Sequence, residues 1–212
     1  MELTAIQKIA AYALPILFAI TVHEAAHGYV AKYFGDLTAE RMGRITLNPF
    51  KHIDPLGTIL LPALSVLLGG VLFGWAKPVP VNFANLRRPK KDMLWVALAG
   101  PASNFVMAIG WGLILARIAL FPANAQEFMA QMSLAGIQIN LVLMVLNLLP
   151  LPPLDGGRIA VSLLPMKAAI AFSSVERYGM LILIALLFTG ILGMILTPAL
   201  RFFQHWLAVL LM

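Results

Sequence analysis

Long apolar runs, separated by short polar stretches rich in proline and glycine, organise this chain. The first run extends from about Ile6 to Phe34 and stops at Gly35-Asp36. That is more than the roughly 20 residues a helix needs to cross a bilayer, so a lipid-length helix is predicted. From there to Pro55 the chain is polar and turn-rich, and the alternation around Arg44 to Leu47 predicts a short strand. The second run, Leu56 to Trp75, is about long enough to span, but Gly57, Pro62, Gly69, Gly70 and Gly74 build it poorly for one straight helix. Prolines hold Lys77-Pro78-Val79-Pro80-Val81-Asn82 extended, and the basic stretch Arg87-Arg88-Pro89-Lys90-Lys91 follows. A third run covers Met93 to Phe121, with Gly100-Pro101-Ala102-Ser103-Asn104 in its first turns. A polar loop, Pro122 to Gln131, leads to a fourth run from about Met132 to Leu149. After the proline-broken stretch Asn147 to Gly157 and a less apolar segment, Arg158 to Arg177, a fifth run covers Tyr178 to Leu196. The tail, Pro198 to Met212, is amphipathic, carrying Arg201, Gln204 and His205 among apolar residues.

The pattern predicts an all-α polytopic membrane protein with about four or five transmembrane helices, a re-entrant hairpin and short extended segments. A single integral-membrane domain is expected over 1–212, with its core at 6–157 and C-terminal helices at 158–212. Composition agrees: 61% of the 212 residues are hydrophobic and 11% charged, and the mean hydropathy is +0.90, far above a soluble domain. The net charge of +6 is spread over basic residues between apolar runs, which points to loops near anionic lipid and to no nucleic-acid partner. With no cysteine, disulfides and thiolate metal sites are excluded. Residues Met1 to Ile20 have the hydropathy of a signal peptide but lack a strongly basic start and a cleavage site before His23, and are read as retained.

Candidate chemistry lies in the first run, at His23-Glu24-Ala25-Ala26-His27. Residues four apart on a helix differ by about 40° in azimuth, so both imidazoles project from one face and can reach a common ion. Glu24 follows the first histidine directly, beside such an ion, where it can take a proton from water. The motif is short enough to arise by chance. Inside a membrane span, however, two imidazoles and a carboxylate are costly unless paired, metallated or facing a polar cavity.

A zinc site of this kind needs a third protein ligand. His52 lies in a loop and His205 in the tail, and both are expected at a surface or interface. Asp155 follows a proline-broken helix end, where unwound backbone lets a carboxylate turn inward and Gly156-Gly157 allows close approach of the main chain. A plain turn aspartate before two glycines is the alternative there.

His23 to His27, the Gly-Pro-x-x-Asn at Gly100 to Asn104, and the Asn-x-x-Pro-x-Pro-x-x-Asp-Gly at Asn147 to Gly156 together resemble the site-2 protease family of intramembrane zinc metalloproteases. The resemblance runs from His23 to Gly157. It implies one zinc per chain held by His23, His27 and Asp155, Glu24 as general base, Asn147 contacting the substrate or polarising its carbonyl, and Asn104 positioning a neighbouring helix or loop. The implied partner is a membrane protein with a transmembrane helix, cut in or near that helix in regulated intramembrane proteolysis. With no span expected before the first motif and no room for PDZ or CBS domains, the chain resembles the compact bacterial subgroup. An ion or solute transporter using intramembrane His and Asp is the rival reading, but it has no need of Glu24 beside the first histidine.

Parity sets the expected topology. For Asp155 to meet the histidines, the first and fourth runs must end on one side of the membrane, so Leu56 to Trp75 is expected as a re-entrant hairpin. Every lysine and arginine except Lys8, Arg117 and Arg201 then falls on that side. The positive-inside rule makes it cytoplasmic, which puts the N-terminus outside a multi-pass cell-membrane protein and the site nearer the cytoplasmic face.

Overall fold

A computed structural model describes residues 3–60, 74 and 76–211. Helix α1, Ala5–Tyr33, begins with a capping box in which Thr4 and Gln7 satisfy each other's backbone N–H groups. It ends at Gly35, whose φ of +109° is open to glycine at little cost. A single turn, α2 (Thr38–Arg41), follows. Helix α3, Pro89–Ala116, starts four residues before its apolar run. Pro89 presets the helical φ, and the Asp92 carboxylate accepts from Arg88 N at 2.7 Å, satisfying one exposed donor.

Helix α4, Ala123–Asn147, corrects the loop expected at Pro122 to Gln131. Those residues are polar but helix-favouring, and Gln131 bonds Glu127 one turn away at 3.1 Å. The proline-broken stretch leads into α5, Asp155–Leu163, so Asp155 opens a helix where unwound backbone was expected. Helices α6 (Met166–Ser173) and α7 (Glu176–Phe188) are bent by 59° against each other.

The fifth run is not one span. Gly190, at φ +76°, ends α7, and α8, Ile191–Leu211, absorbs the tail into one helix that continues through Pro198. Glycine does not interrupt a hydropathy pattern, which is why the break was silent in the sequence. Four helices among the described residues, α1, α3, α4 and α8, are long and apolar enough to cross a membrane, or five if α6 and α7 form one bent span. The protein is an all-α polytopic membrane protein.

Helices α1, α3 and α4 pack against one another, with α5 on α3 and α8 on α3 and α4. Small residues bring the backbones close, as where a Cβ on Gly136 would fall 2.5 Å from the Trp111 ring. One apolar core joins Ala108, Leu141, Met144 and Val145 to Phe105 and Phe203, and another joins Ala31, Leu86 and Val96 to Phe34 and Val81. The polarity is otherwise inverted. Ile6, Val106, Met194 and Val209 face outward, whereas Thr21, His23, His27, Asn104, Ser133 and Asn140 are buried, as expected of a bundle whose solvent is lipid.

No strand forms among the described residues, and Arg44 to Leu47 is a bend. The buried Arg44 side chain takes over the cross-connection, donating from Nη2 to Lys77 O at 3.1 Å and Pro78 O at 3.3 Å. His52 is likewise buried, at 3% exposure, and its Nε2 lies 3.0 Å from Thr46 O. That corrects the surface position expected for it, while His205 is exposed as expected. The hairpin expected over Leu56 to Trp75 lies mostly outside the described residues. Its start, Pro55–Leu60, is a π-helical turn.

Candidate active site

His23 and His27 project from α1 toward α3 and α5. His23 Nε2 lies 3.1 Å from His27 Nε2, and each is 3.3 Å from Asp155 Oδ2. Among the described residues these three form the group that could hold a metal ion. The proline-broken loop places Asp155. Residues 148–154 fold against the first turn of α5 so closely that a Cβ on Gly156 would overlap the Leu148 and Leu149 carbonyls, and one on Gly157 would overlap Pro152. Gly179, on α7, similarly meets the Pro152 carbonyl from the far side. A helix N-terminus favours a carboxylate, and Asp155 is the first residue of α5.

The hydrogen-bond network fixes where the imidazole protons sit. Gly136 O can only accept, so the Asn140 amide nitrogen faces it at 2.8 Å. Asn140 Oδ1 then accepts from the Asn104 amide nitrogen at 2.9 Å, which also reaches Ala19 O at 3.4 Å. Asn104 Oδ1 is thereby turned to His23 Nδ1, 2.6 Å away, and must accept from it. His27 Nδ1 donates to Val96 O at 2.7 Å. Both Nδ1 atoms carry a proton, so in the neutral imidazoles both Nε2 atoms present lone pairs to each other and to Asp155 Oδ2. Asp155 Oδ2 is buried, and the two Nε2 atoms are its polar partners.

Three acceptors aimed at one point repel unless a cation lies between them. An aspartate alone costs about 2.5–3.5 kcal/mol at a membrane-helix centre. Ligand atoms about 2.0–2.1 Å from a tetrahedral ion lie about 3.3 Å from one another, and these three atoms have that spacing. The residues therefore fit zinc.

Helix α3 passes so near that a Cβ on Gly100 would sit 2.6 Å from His23 Nε2 and closer still to His27 Nε2. Sequence reading placed Gly100 in a motif but missed this contact. It also missed Asn140, although a polar residue within an apolar run was a signal for it. The Val96 carbonyl left no signal, because any residue supplies one. Glu24 lies one residue from the first imidazole, and its Oε2 accepts from Val79 N at 2.7 Å. Asn147 is not drawn to the three donor atoms, since its amide donates to Leu143 O at 3.0 Å on its own helix.

The extended segment carrying Val79 is pinned at its far end by Asp36. The Asp36 carboxylate accepts from Asn82 N at 2.7 Å, the Asn85 amide at 3.1 Å and the Thr38 hydroxyl at 2.5 Å. Burial alone would raise its pKa, but the bonds from Thr38, Asn85 and Asn82 more than offset this and hold it below the ordinary carboxylate value.

A model of the family described as Peptidase family M50 matches residues 114–190, the stretch containing Asn147 and Asp155. Among curated proteins, the chain is 42% identical over 196 residues to the Bacillus subtilis protein named "Putative zinc metalloprotease YwhC", covering 89% of this chain and 84% of that one. It is 36% identical over 181 residues to "Putative zinc metalloprotease Rip2" of Mycolicibacterium smegmatis, covering 84% of this chain and 66% of that protein. The protein of the same name from Mycobacterium tuberculosis is 36% identical over 143 residues, and the match spans 52% of its length. No solved structure matches the chain. The extent of the Bacillus match, together with the family model over the Asp155 region, makes this chain a member of the M50, or site-2 protease, family.

Proposed function

We propose that this protein is an intramembrane zinc metalloprotease that hydrolyses a peptide bond within or near a transmembrane segment of a membrane-protein substrate. The observation that carries the reading is the convergence of two imidazole Nε2 atoms and a buried carboxylate oxygen on one point. His23, His27 and Asp155 are the residues that would hold the ion. Zinc, when bound, supplies Lewis acidity toward water and a carbonyl oxygen.

The other steps belong to the chain. Glu24 accepts the proton of the attacking water as the water oxygen bonds to the carbonyl carbon, then delivers it to the amide nitrogen as the C–N bond breaks. Asn104 and Val96 O hold the imidazoles in the tautomer that leaves Nε2 free. Asn147 would contact the substrate or polarise its carbonyl after releasing Leu143 O. A helical substrate hides its carbonyls in hydrogen bonds, so it must unwind locally to reach the site. The extended Val79 to Asn82 segment would serve as a template for holding an unwound strand.

In the proposed orientation the N-terminus is outside and the site lies nearer the cytoplasmic face of the cell membrane. The test is cleavage of a model transmembrane substrate by wild type and Glu24→Gln at equal zinc content. Glu24→Gln should hold about one zinc and cleave about 10²- to 10⁴-fold more slowly. Cleavage at the wild-type rate would refute the mechanism.

A further inference from the structure

We propose that Arg44 is a positioning residue for Glu24, acting through the extended segment that begins at Lys77. The inference rests on the reading of Glu24 as general base.

A continuous chain of contacts links the two. Arg44 Nη2 donates to the carbonyls of Lys77 and Pro78, at 3.1 and 3.3 Å. The next residue, Val79, turns its N–H onto Glu24 Oε2 at 2.7 Å. Two further contacts hold the unit, the second of them against α1. Lys77 N donates to His52 O at 2.9 Å, and the Ile45 and Val79 side chains both close on Gly28, where a Cβ would fall 3.0 and 3.2 Å from them. Gly28 follows His27 directly, so the clamp sits one residue beyond the second imidazole.

The arrangement is a poor device for stability. Arg44 is only 7% exposed, and its Nε is buried without a hydrogen-bond partner. Burying an incompletely satisfied guanidinium is unfavourable, and an apolar side chain of similar volume would serve packing better. What the guanidinium supplies is direction. Two donors' worth of geometry on consecutive carbonyls sets the rotation of the peptide plane whose N–H meets Glu24. With Oε2 held, Oε1 is the oxygen left to face a water beside the two imidazoles. Holding a base in this way reduces the reorientation needed in the transition state.

Proline makes the clamp readable. Pro78 and Pro80 have no N–H, so the Val79 amide is isolated between two silent positions and can be followed by hydrogen exchange in the purified full-length protein. In wild type it should exchange slowly. In Arg44→Gln it should exchange about tenfold faster or more, since a bond to a charged acceptor is lost. Over the same change kcat should fall about 10- to 100-fold, with KM and zinc content unchanged. Arg44→Lys, which keeps a cation able to reach one carbonyl, should recover part of both effects and serves if Arg44→Gln does not fold. Glu24→Ala should release the Val79 amide by itself, and adding Arg44→Gln should then accelerate it no further.

Val79 exchange at the wild-type rate in Arg44→Gln would overturn the proposal, as would a loss of activity matched by an equal loss of zinc. A wild-type protein that cleaves nothing would count against the peptidase reading alone, because the exchange measurement does not need activity.

Discussion

His23 Nδ1 and Asn104 Oδ1 lie 2.6 Å apart, and that contact is the last link of a relay running from Gly136 O through Asn140. Its orientation is set by a backbone carbonyl two helices away, so the tautomer of a proposed metal ligand is fixed by packing. Asn104→Ala removes the acceptor and frees the ring. Zinc affinity should fall about 10- to 100-fold, measured by competition with a chelator, while helix content stays at the wild-type level. Unchanged affinity would detach Asn104 from the site.

Asp155→Ala removes the one carboxylate facing both Nε2 atoms. The purified variant should lose most of its zinc, as measured by metal analysis. Retention of about one zinc per chain would move the third ligand elsewhere.

Gly100→Ala pits local propensity against the site. In an exposed helix, alanine in place of glycine stabilises by about 1 kcal/mol. Here the new Cβ would lie 2.6 Å from His23 Nε2, within the space an ion would need. The variant should keep its helix content and lose zinc and cleavage together. Full zinc loading would show that α3 can draw back.

Asp36 gives an acid limit. Its folded-state pKa is below the ordinary 3.8, so the bonds from Thr38, Asn82 and Asn85 stabilise the fold above that value. Their contribution is lost as pH falls through the depressed folded pKa. Wild type should therefore lose melting temperature below about pH 4 more steeply than Asp36→Asn. Parallel curves would mean that these bonds contribute nothing to the fold.

The orientation is testable because the chain has no cysteine to remove. Single cysteines replace exposed side chains at Ala84, before α3, and at Asn124, in the first turn of α4. With an impermeant thiol reagent on intact cells, Asn124→Cys should label and Ala84→Cys should stay protected until lysis. The reverse pattern would refute the proposed orientation.

The sequence by itself carried the membrane class and the order of the long helices. Lipid-length apolar runs admit few backbone solutions, and a helical period puts His23 and His27 on one face wherever the helix lies. The break in the chain before Asp155 was legible too, through the prolines and glycines around it. Tertiary structure alone decided the rest. Whether Pro122 to Gln131 forms a loop or a helix end, and where the last apolar run breaks, depends on capping and on one backbone angle at Gly190 that hydropathy does not register. The meeting of Asn104 with His23, the hold of Val79 on Glu24, and the approach of Gly100 to both imidazoles join residues 55 to 81 positions apart. Contacts across that separation follow from how helices pack, and a backbone N–H or an absent Cβ looks the same at every position until packing brings something against it.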